Sequence, residues 1–333
     1  MTALLKSQEA KLVGREHLDR LSASGDPRAA LRDTDIGAWL EGARWRDAAE
    51  RDLALWEYLA ETLETIELRR FFPPDVRRFG RAYLMKYDVA NIKAVLQGFA
   101  LEQAPQLLPI GVLHARRALG ELAAASSREE LEDVLTRAGL RRLVLVLREF
   151  RSTGGRRGRL AMDAALEGEY HRTLMHAVRR LGGGHVLVAV VGLELDLRNL
   201  ALACRLLAQG AGLAEIEGFI PGGARLDAAD LRDALAHGLH DLPRRLEVEL
   251  YRDIASEAIA AYERSGSVAV MEGVIEKHRL AALRGWLAPQ VAPAAVMAWF
   301  IVLKEIELRN VRLVFTALED GLALEEIQRH LLL

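Results

Sequence analysis

The stretch ELDLRNLALACRLL, residues 194–207, sets Asp196 and Asn199 three positions apart in an otherwise apolar run. The same spacing returns in YDVANIKAVLQGF, residues 87–99, as Asp88 and Asn91, and in IELRNVRLVFTAL, residues 306–318, as Glu307 and Asn310. The asparagines are separated by 108 and 111 positions, close to a third of a 333-residue chain. Spacing this even marks three copies of one unit, expected at 1–112, 113–223 and 224–333.

On a helix, positions 0, 3, 4, 7 and 11 from each acid share one face. They read Asp88, Asn91, Ile92, Val95, Phe99; then Asp196, Asn199, Leu200, Ala203, Leu207; then Glu307, Asn310, Val311, Val314, Leu318. The asparagine therefore belongs to the apolar stripe. A buried amide without a partner costs about 1–3 kcal/mol, so each copy is expected to find one in the acid or in a neighbouring backbone. The pair is read as a structural device that fixes packing and register. One carboxylate and one amide are too few ligands for calcium or magnesium.

Helical periodicity dominates elsewhere. Ala49, Leu53, Trp56, Ala60 and Leu63 recur at alternating steps of four and three, which predicts an amphipathic helix with that face inward. The prolines of FFPPD at 71–75 open a helix, the serines of SSREE at 126–130 cap one, and PGG at 221–223 ends a unit. The β-branched run HVLVAVVGLELD at 185–196 passes into the second motif without a turn signal and is read as helix. Strand alternation is nearly absent, so the expected fold class is all-α. The uncharged nineteen residues from Gly285 to Leu303 are broken by Pro289, Gln290 and Pro293, leaving about a dozen apolar residues, the length of a core helix rather than a membrane span.

Composition narrows the function. Hydrophobic residues at 51% and charged residues at 28% describe an ordinary globular chain, and 45 basic against 47 acidic residues give a net charge of −2, with no bulk attraction for nucleic acid. The single cysteine, Cys204, excludes a disulfide framework and is read as a buried, inert thiol. The charged start, MTALLKSQEAKLVGREHLDRL, lacks the apolar core of a secretory signal, which points to a cytoplasmic protein. Neither RSTGGRRGR at 151–159 nor LGGGH at 181–185 ends in the Gly-Lys-Ser/Thr of a P-loop, so both are read as helix connections, the arginines of the first as solvated. His237 and His240 in AHGLHD, and His171 with His176, lack the HExxH or Glu-x-x-His pattern of a metal helix, and no GxSxG elbow occurs. No catalytic residue, metal site, cofactor or small-molecule substrate is expected. The chain reads as one that holds other proteins.

The ordered set of motifs resembles a known family. The threefold acid-x-x-Asn pattern with NIK at 91–93 and NVR at 310–312, FIPGGARL at 219–226 and TDIG at 34–37 is similar to the C subunit of the bacterial and archaeal V/A-type ATPases, called the d subunit in eukaryotes. The resemblance covers essentially the whole chain. It implies an all-helical funnel of three similar helical-bundle lobes in pseudo-threefold arrangement. It also implies a non-catalytic place in the central stalk of a rotary ATPase, peripheral at the cytoplasmic face of the membrane. The expected partners are the central shaft subunits of the D and F type and the membrane rotor ring, for transport of protons or sodium. Ala201 stands where the other copies have Lys93 and Arg312, and Arg205 where they have Gln97 and Thr316, which speaks against these basic positions forming one shared binding site. A free-standing helical adaptor of the same fold is the alternative, and an enzyme with a carboxylate metal site ranks behind it.

Overall fold

A computed structural model of the chain describes residues 2–24, 27–67, 72–152, 158–211, 218–226, 228–322, 327–328 and 330–332. The fold is all-α, 78% helical, with no strand among the described residues. The chain clusters into two compact units, one made of residues 1–80 and 287–333 and the other of residues 81–286. The first contains α1 (Thr2–Glu9), α2 (Arg15–Ser24), α3 (Pro27–Leu31), α4 (Asp35–Gly42) and α5 (Ala48–Glu67), and α6 (Pro74–Leu101) begins in it. The second continues from Arg81 of α6 through α7 (Val112–Ala115), α8 (Leu119–Ala124), α9 (Arg128–Ala138), α10 (Arg141–Ser152), α11 (Arg159–Arg179) and α12 (His185–Ala208). It ends with α13 (Ala228–His237), α14 (Leu242–Arg245), α15 (Glu249–Ser265) and α16 (Val268–Leu287), whose last residue already belongs to the first unit together with α17 (Pro293–Glu319).

In the unit of residues 1–80 and 287–333, α17 is the axis, with α1, α2 and α5 against it. Pro293 occupies its first turn, where a missing N–H costs nothing. All nine residues from Ala294 to Val302 are buried, which explains the uncharged run as core. Among the described residues, no helix is long and apolar enough to cross a membrane. The TDIG segment has a local reason. Thr34 caps α4 by accepting from the Gly37 N–H at 3.1 Å, Ile36 is buried, and a Cβ on Gly37 would lie 1.7 Å from the Leu31 carbonyl oxygen.

On α5 the predicted face is inward only in its second half. Ala60 and Leu63 are buried as expected, but Ala49 and Leu53 are exposed and Trp56 is half-buried, while Ala54, Leu55, Tyr58 and Leu59 point inward. The cause is Arg51, which is only 3% exposed because its guanidinium pairs with Glu319 and lies 5.0 Å over the Phe315 ring. Periodicity that counts every arginine as surface misplaces such a face.

In the unit of residues 81–286, α12 is the buried element. Leu193, Leu197, Leu200, Ala203 and Cys204 join Tyr251, Ile254, Ala255 and Ala258 of α15 in one core. Burial pushes the Cys204 thiol up to about 12, so it stays protonated and inert. The serine cap at 126–130 forms as predicted: Ser127 accepts from the Glu130 N–H at 3.2 Å, and Glu130 in return accepts from the Ser126 N–H at 2.7 Å. Helix α9 then ends on Gly139 with φ of 87°, a conformation glycine adopts without strain.

Candidate functional site

The three acid–asparagine pairs lie on the three long helices α6, α12 and α17, and all six residues are buried. The stripe around each is the one the sequence predicts. Positions 0, 3, 4 and 7 are buried in every copy and position 11 is half-buried.

Each asparagine holds one backbone residue with both ends of its amide. Asn91 donates to the Leu108 carbonyl at 2.9 Å and accepts from the Leu108 N–H at 2.7 Å. Asn199 makes the same pair with Ile220 at 2.7 and 3.1 Å, and Asn310 with Leu332 at 2.6 and 3.0 Å. The clamped residue follows its asparagine by 17, 21 and 22 positions. A carboxamide is the one neutral side chain with donor and acceptor at the separation a peptide unit requires, which accounts for asparagine in all three copies.

Each acid accepts from backbone N–H groups a few residues away from that clamp or from elsewhere in its unit. Asp88 receives Val112 at 2.9 Å and Leu113 at 2.8 Å. Asp196 receives Ala224 at 3.0 Å and Arg225 at 2.8 Å, together with the Tyr251 hydroxyl at 2.5 Å. The two segments read LPIGVL at 108–113 and IPGGAR at 220–225, with proline one place and glycine three places after the clamped residue. A Cβ on Gly111 would come within 2.6 Å of Asp88 Oδ1, and one on Gly223 within 1.6 Å of Asp196 Oδ1. These glycines admit the carboxylates. The third copy departs from this. Glu307 accepts from Val13 N–H at 2.9 Å, 294 positions earlier, and from the Tyr58 hydroxyl at 3.1 Å.

Burial lifts the Asp196 carboxyl above its usual range, while the Tyr251 hydroxyl and the N–H groups of Arg225 and Ala224 draw it back. Burial, then the Asp196 hydrogen bond, raises the Tyr251 hydroxyl, and burial, then Glu307, raises that of Tyr58. Both phenols therefore remain protonated donors. In the third copy a cation completes the set: Lys304 Nζ is fully buried and donates to Tyr58 Oη at 2.6 Å and to Glu307 Oε2 at 2.9 Å.

The basic positions beside the motif form ion pairs of their own. Lys93 meets Glu167 at 2.6 Å, the other oxygen of Glu167 takes Arg198 Nε at 2.7 Å, and Arg198 reaches on to the Gly218 carbonyl at 2.8 Å. Helices α6, α11 and α12 are thereby linked side to side. Arg279 ties α16 to α12 through Glu194 at 2.7 Å. Arg205 pairs with Glu272 at 2.6 Å and Arg312 with Asp52. They occupy different partners, in keeping with the sequence differences among the copies.

Several of the other sequence candidates have structural partners, whereas the buried Nδ1 of His171 has no hydrogen-bond partner among the described residues. His237 contacts Asp233 at 3.5 Å and His240 contacts Glu263 at 3.1 Å. His171 lies beside the Glu167 cluster, and burial lowers its imidazole to about 4. LGGGH is the turn from α11 into α12, with Gly183 at φ of 75°. In RSTGGRRGR, Arg151 pairs with Glu129 and Arg159 with Gln97, whereas Arg156 and Arg157 lie outside the described residues.

Among the described residues the carboxylates, amides and phenols of the three copies are spent on backbone and on one another. Residues 1–330 match the family model described as ATP synthase (C/AC39) subunit. The chain is 25% identical to the C subunit of the A-type ATP synthase of Methanocaldococcus jannaschii, an alignment covering 98% of this chain and 84% of that protein. It is 28% identical to the protein of the same name from Methanothermobacter thermautotrophicus, over 82% of this chain and 71% of that one. With that of Pyrococcus abyssi it shares 23% over 98% and 88%. With nearly every residue inside the match, and the motifs that first pointed there clamped alike on three long helices, the chain belongs to the ATP synthase (C/AC39) subunit family.

Proposed function

We propose that this chain is the part of an A-type ATP synthase that couples the central shaft of the catalytic head to the membrane rotor ring, without bond chemistry of its own. The match over residues 1–330 carries the reading. The three repeats, placed at 1–112, 113–223 and 224–333, each contribute one clamp, and its acid and asparagine act as packing and register devices. The shaft subunits of the D and F type and the rotor ring are its partners, at the cytoplasmic face of the membrane, with protons or sodium as the transported ion.

The internal design supports such a role. A coupler must pass torque without yielding, and a protein resists shear when its polar groups have two-point, buried partners and its helices are cross-linked by desolvated charges. The clamps hold segments 17 to 22 residues downstream against the long helices. Glu167 joins three helices through Lys93 and Arg198.

Co-purification from native membranes tests the proposal. Tagged chain should bring down the catalytic, shaft and ring subunits in fixed proportion. Recovery of the chain alone, or with unrelated proteins, would replace the coupler by a free-standing adaptor of the same fold.

A further inference from the structure

A cleft of about 530 Å³ opens between α10, α11, α12 and the segment that Asn199 clamps. Its floor is apolar and buried: Val191 and Leu195 from α12, and Ile220 from the clamped segment. Its rim is cationic and exposed: Arg142 from α10, with Arg172 and Arg179 two turns apart on α11. Behind the rim one carboxylate, Glu169, serves two of these arginines, with Arg172 at 2.9 Å and Arg142 at 3.4 Å. Among the described residues Arg179 has no carboxylate within ion-pair distance. Three guanidiniums thus stand over one buried acid, and the cleft holds a surplus of positive charge in a chain whose net charge is −2.

We propose that this cleft docks an acidic peptide segment of a partner protein, one that carries Asp or Glu side chains next to an apolar residue. Guanidinium forks match carboxylates bidentately, and both Arg172 and Arg142 keep exposed donors beyond those given to Glu169. The apolar residue of the segment seats over Val191, Leu195 and Ile220, where it excludes water from the cleft floor. The cleft's wall is not adaptable. Asn199 grips both backbone groups of Ile220, and Asp196 holds Ala224 and Arg225 just beyond, so the second copy of the motif presents a preformed binding edge. The assignment of the partner to the ATP synthase rests on the function proposed above; the chemistry of the cleft does not.

Two arms separate the two. In the first, purified full-length chain is titrated against a fluorescein-labelled peptide of alternating Glu and Leu, followed by anisotropy. Binding should weaken at least tenfold in Arg172→Gln/Arg179→Gln and several-fold in Arg179→Gln alone, a variant that removes no described ion pair. It should fall as salt is raised. The same peptide with Gln for Glu should bind at least tenfold more weakly, and neither inorganic phosphate nor phosphatidylglycerol vesicles should displace the acidic one. No binding, equal binding of the Gln peptide, or indifference to Arg179→Gln would overturn the proposal, and displacement by phosphate or by vesicles would replace the peptide with that ligand. In the second arm, Met175→p-benzoylphenylalanine in the cleft is photo-crosslinked in complexes isolated from native membranes. An adduct on an acidic segment, lost on Arg172→Glu/Arg179→Glu and regained when the partner's acids become lysine, supports the docking. An adduct on a segment without carboxylates overturns it. Peptide binding in the first arm without any other ATP synthase component in the second would refute the assembly and leave the cleft standing.

Discussion

Replacing Asn199 by leucine removes both hydrogen bonds to Ile220, at 2.7 and 3.1 Å, and leaves that residue's N–H and C=O unpaired in a buried position. Each orphaned backbone group costs about 1–3 kcal/mol. Leucine recovers part of this by adding apolar surface to a stripe already lined by Leu200 and Ala203, about 1–2 kcal/mol at roughly 25 cal/mol per Å². The two groups together cost about 2–6 kcal/mol, so the net loss lies within about 0–5 kcal/mol and centres on about 2–3 kcal/mol. Arg198 also loses the Asn199 oxygen at 3.1 Å but keeps Glu167 and the Gly218 carbonyl, so the interhelical link survives. Urea unfolding followed by far-UV ellipticity should give the stability change, and native-state amide exchange at Ile220 should report the local one as a loss of protection. Asn91→Leu and Asn310→Leu should lose protection at Leu108 and Leu332 in the same way. A change below about 0.5 kcal/mol with the Ile220 amide still protected would refute the clamp as a source of stability.

Lys304→Met leaves the buried Glu307 carboxylate without its cation at 2.9 Å and should cost about 3–5 kcal/mol, while Lys304→Met/Glu307→Gln should regain most of it in a double-mutant cycle. Gly223→Ala drives a methyl to within 1.6 Å of Asp196 Oδ1 and should cost about 3 kcal/mol or more. Gly222→Ala meets open space and only the strain of φ at 94°, about 1–2 kcal/mol, so the order of the two melting temperatures checks the reasoning. His171 takes a proton at about 4 in the folded chain against 6.5 when free, so between those values the unfolded state binds more protons and stability falls as the pH falls. That contribution, up to about 3 kcal/mol, is complete above pH 6.5, and His171→Phe should flatten the acid limb of melting temperature against pH.

The asparagine stripes were legible because a helix face repeats locally and Asn91, Asn199 and Asn310 break an apolar pattern. Their partners were less so. Leu108, Ile220 and Leu332 lie beyond the helix that carries each asparagine, and nothing in periodicity points to them. A signal exists in the parallel of LPIGVL and IPGGAR, of which only the second falls in a motif that stands out by itself. No repeat comparison reaches Val13 as the donor to Glu307, since the third copy draws on residues 294 positions earlier. The first half of the α5 face is misplaced by periodicity, where Arg51 is buried against Glu319 and Phe315, contacts that depend on α17. Lys304 carries no mark in the sequence for the same reason, as a lone lysine becomes a buried cation only when Tyr58 and Glu307 surround it.

Mechanical coupling is read most directly as ATP-driven ion transport in vesicles holding the ATP synthase rebuilt with and without this chain. A potential-sensitive dye reads transport whether the ion is a proton or sodium, and phosphate release reads hydrolysis on the same sample. With the chain present both should proceed. Without it hydrolysis should continue while the dye signal disappears, and adding the chain back should restore it. Transport that persists at its full rate in complexes shown to lack the chain would contradict mechanical coupling through it.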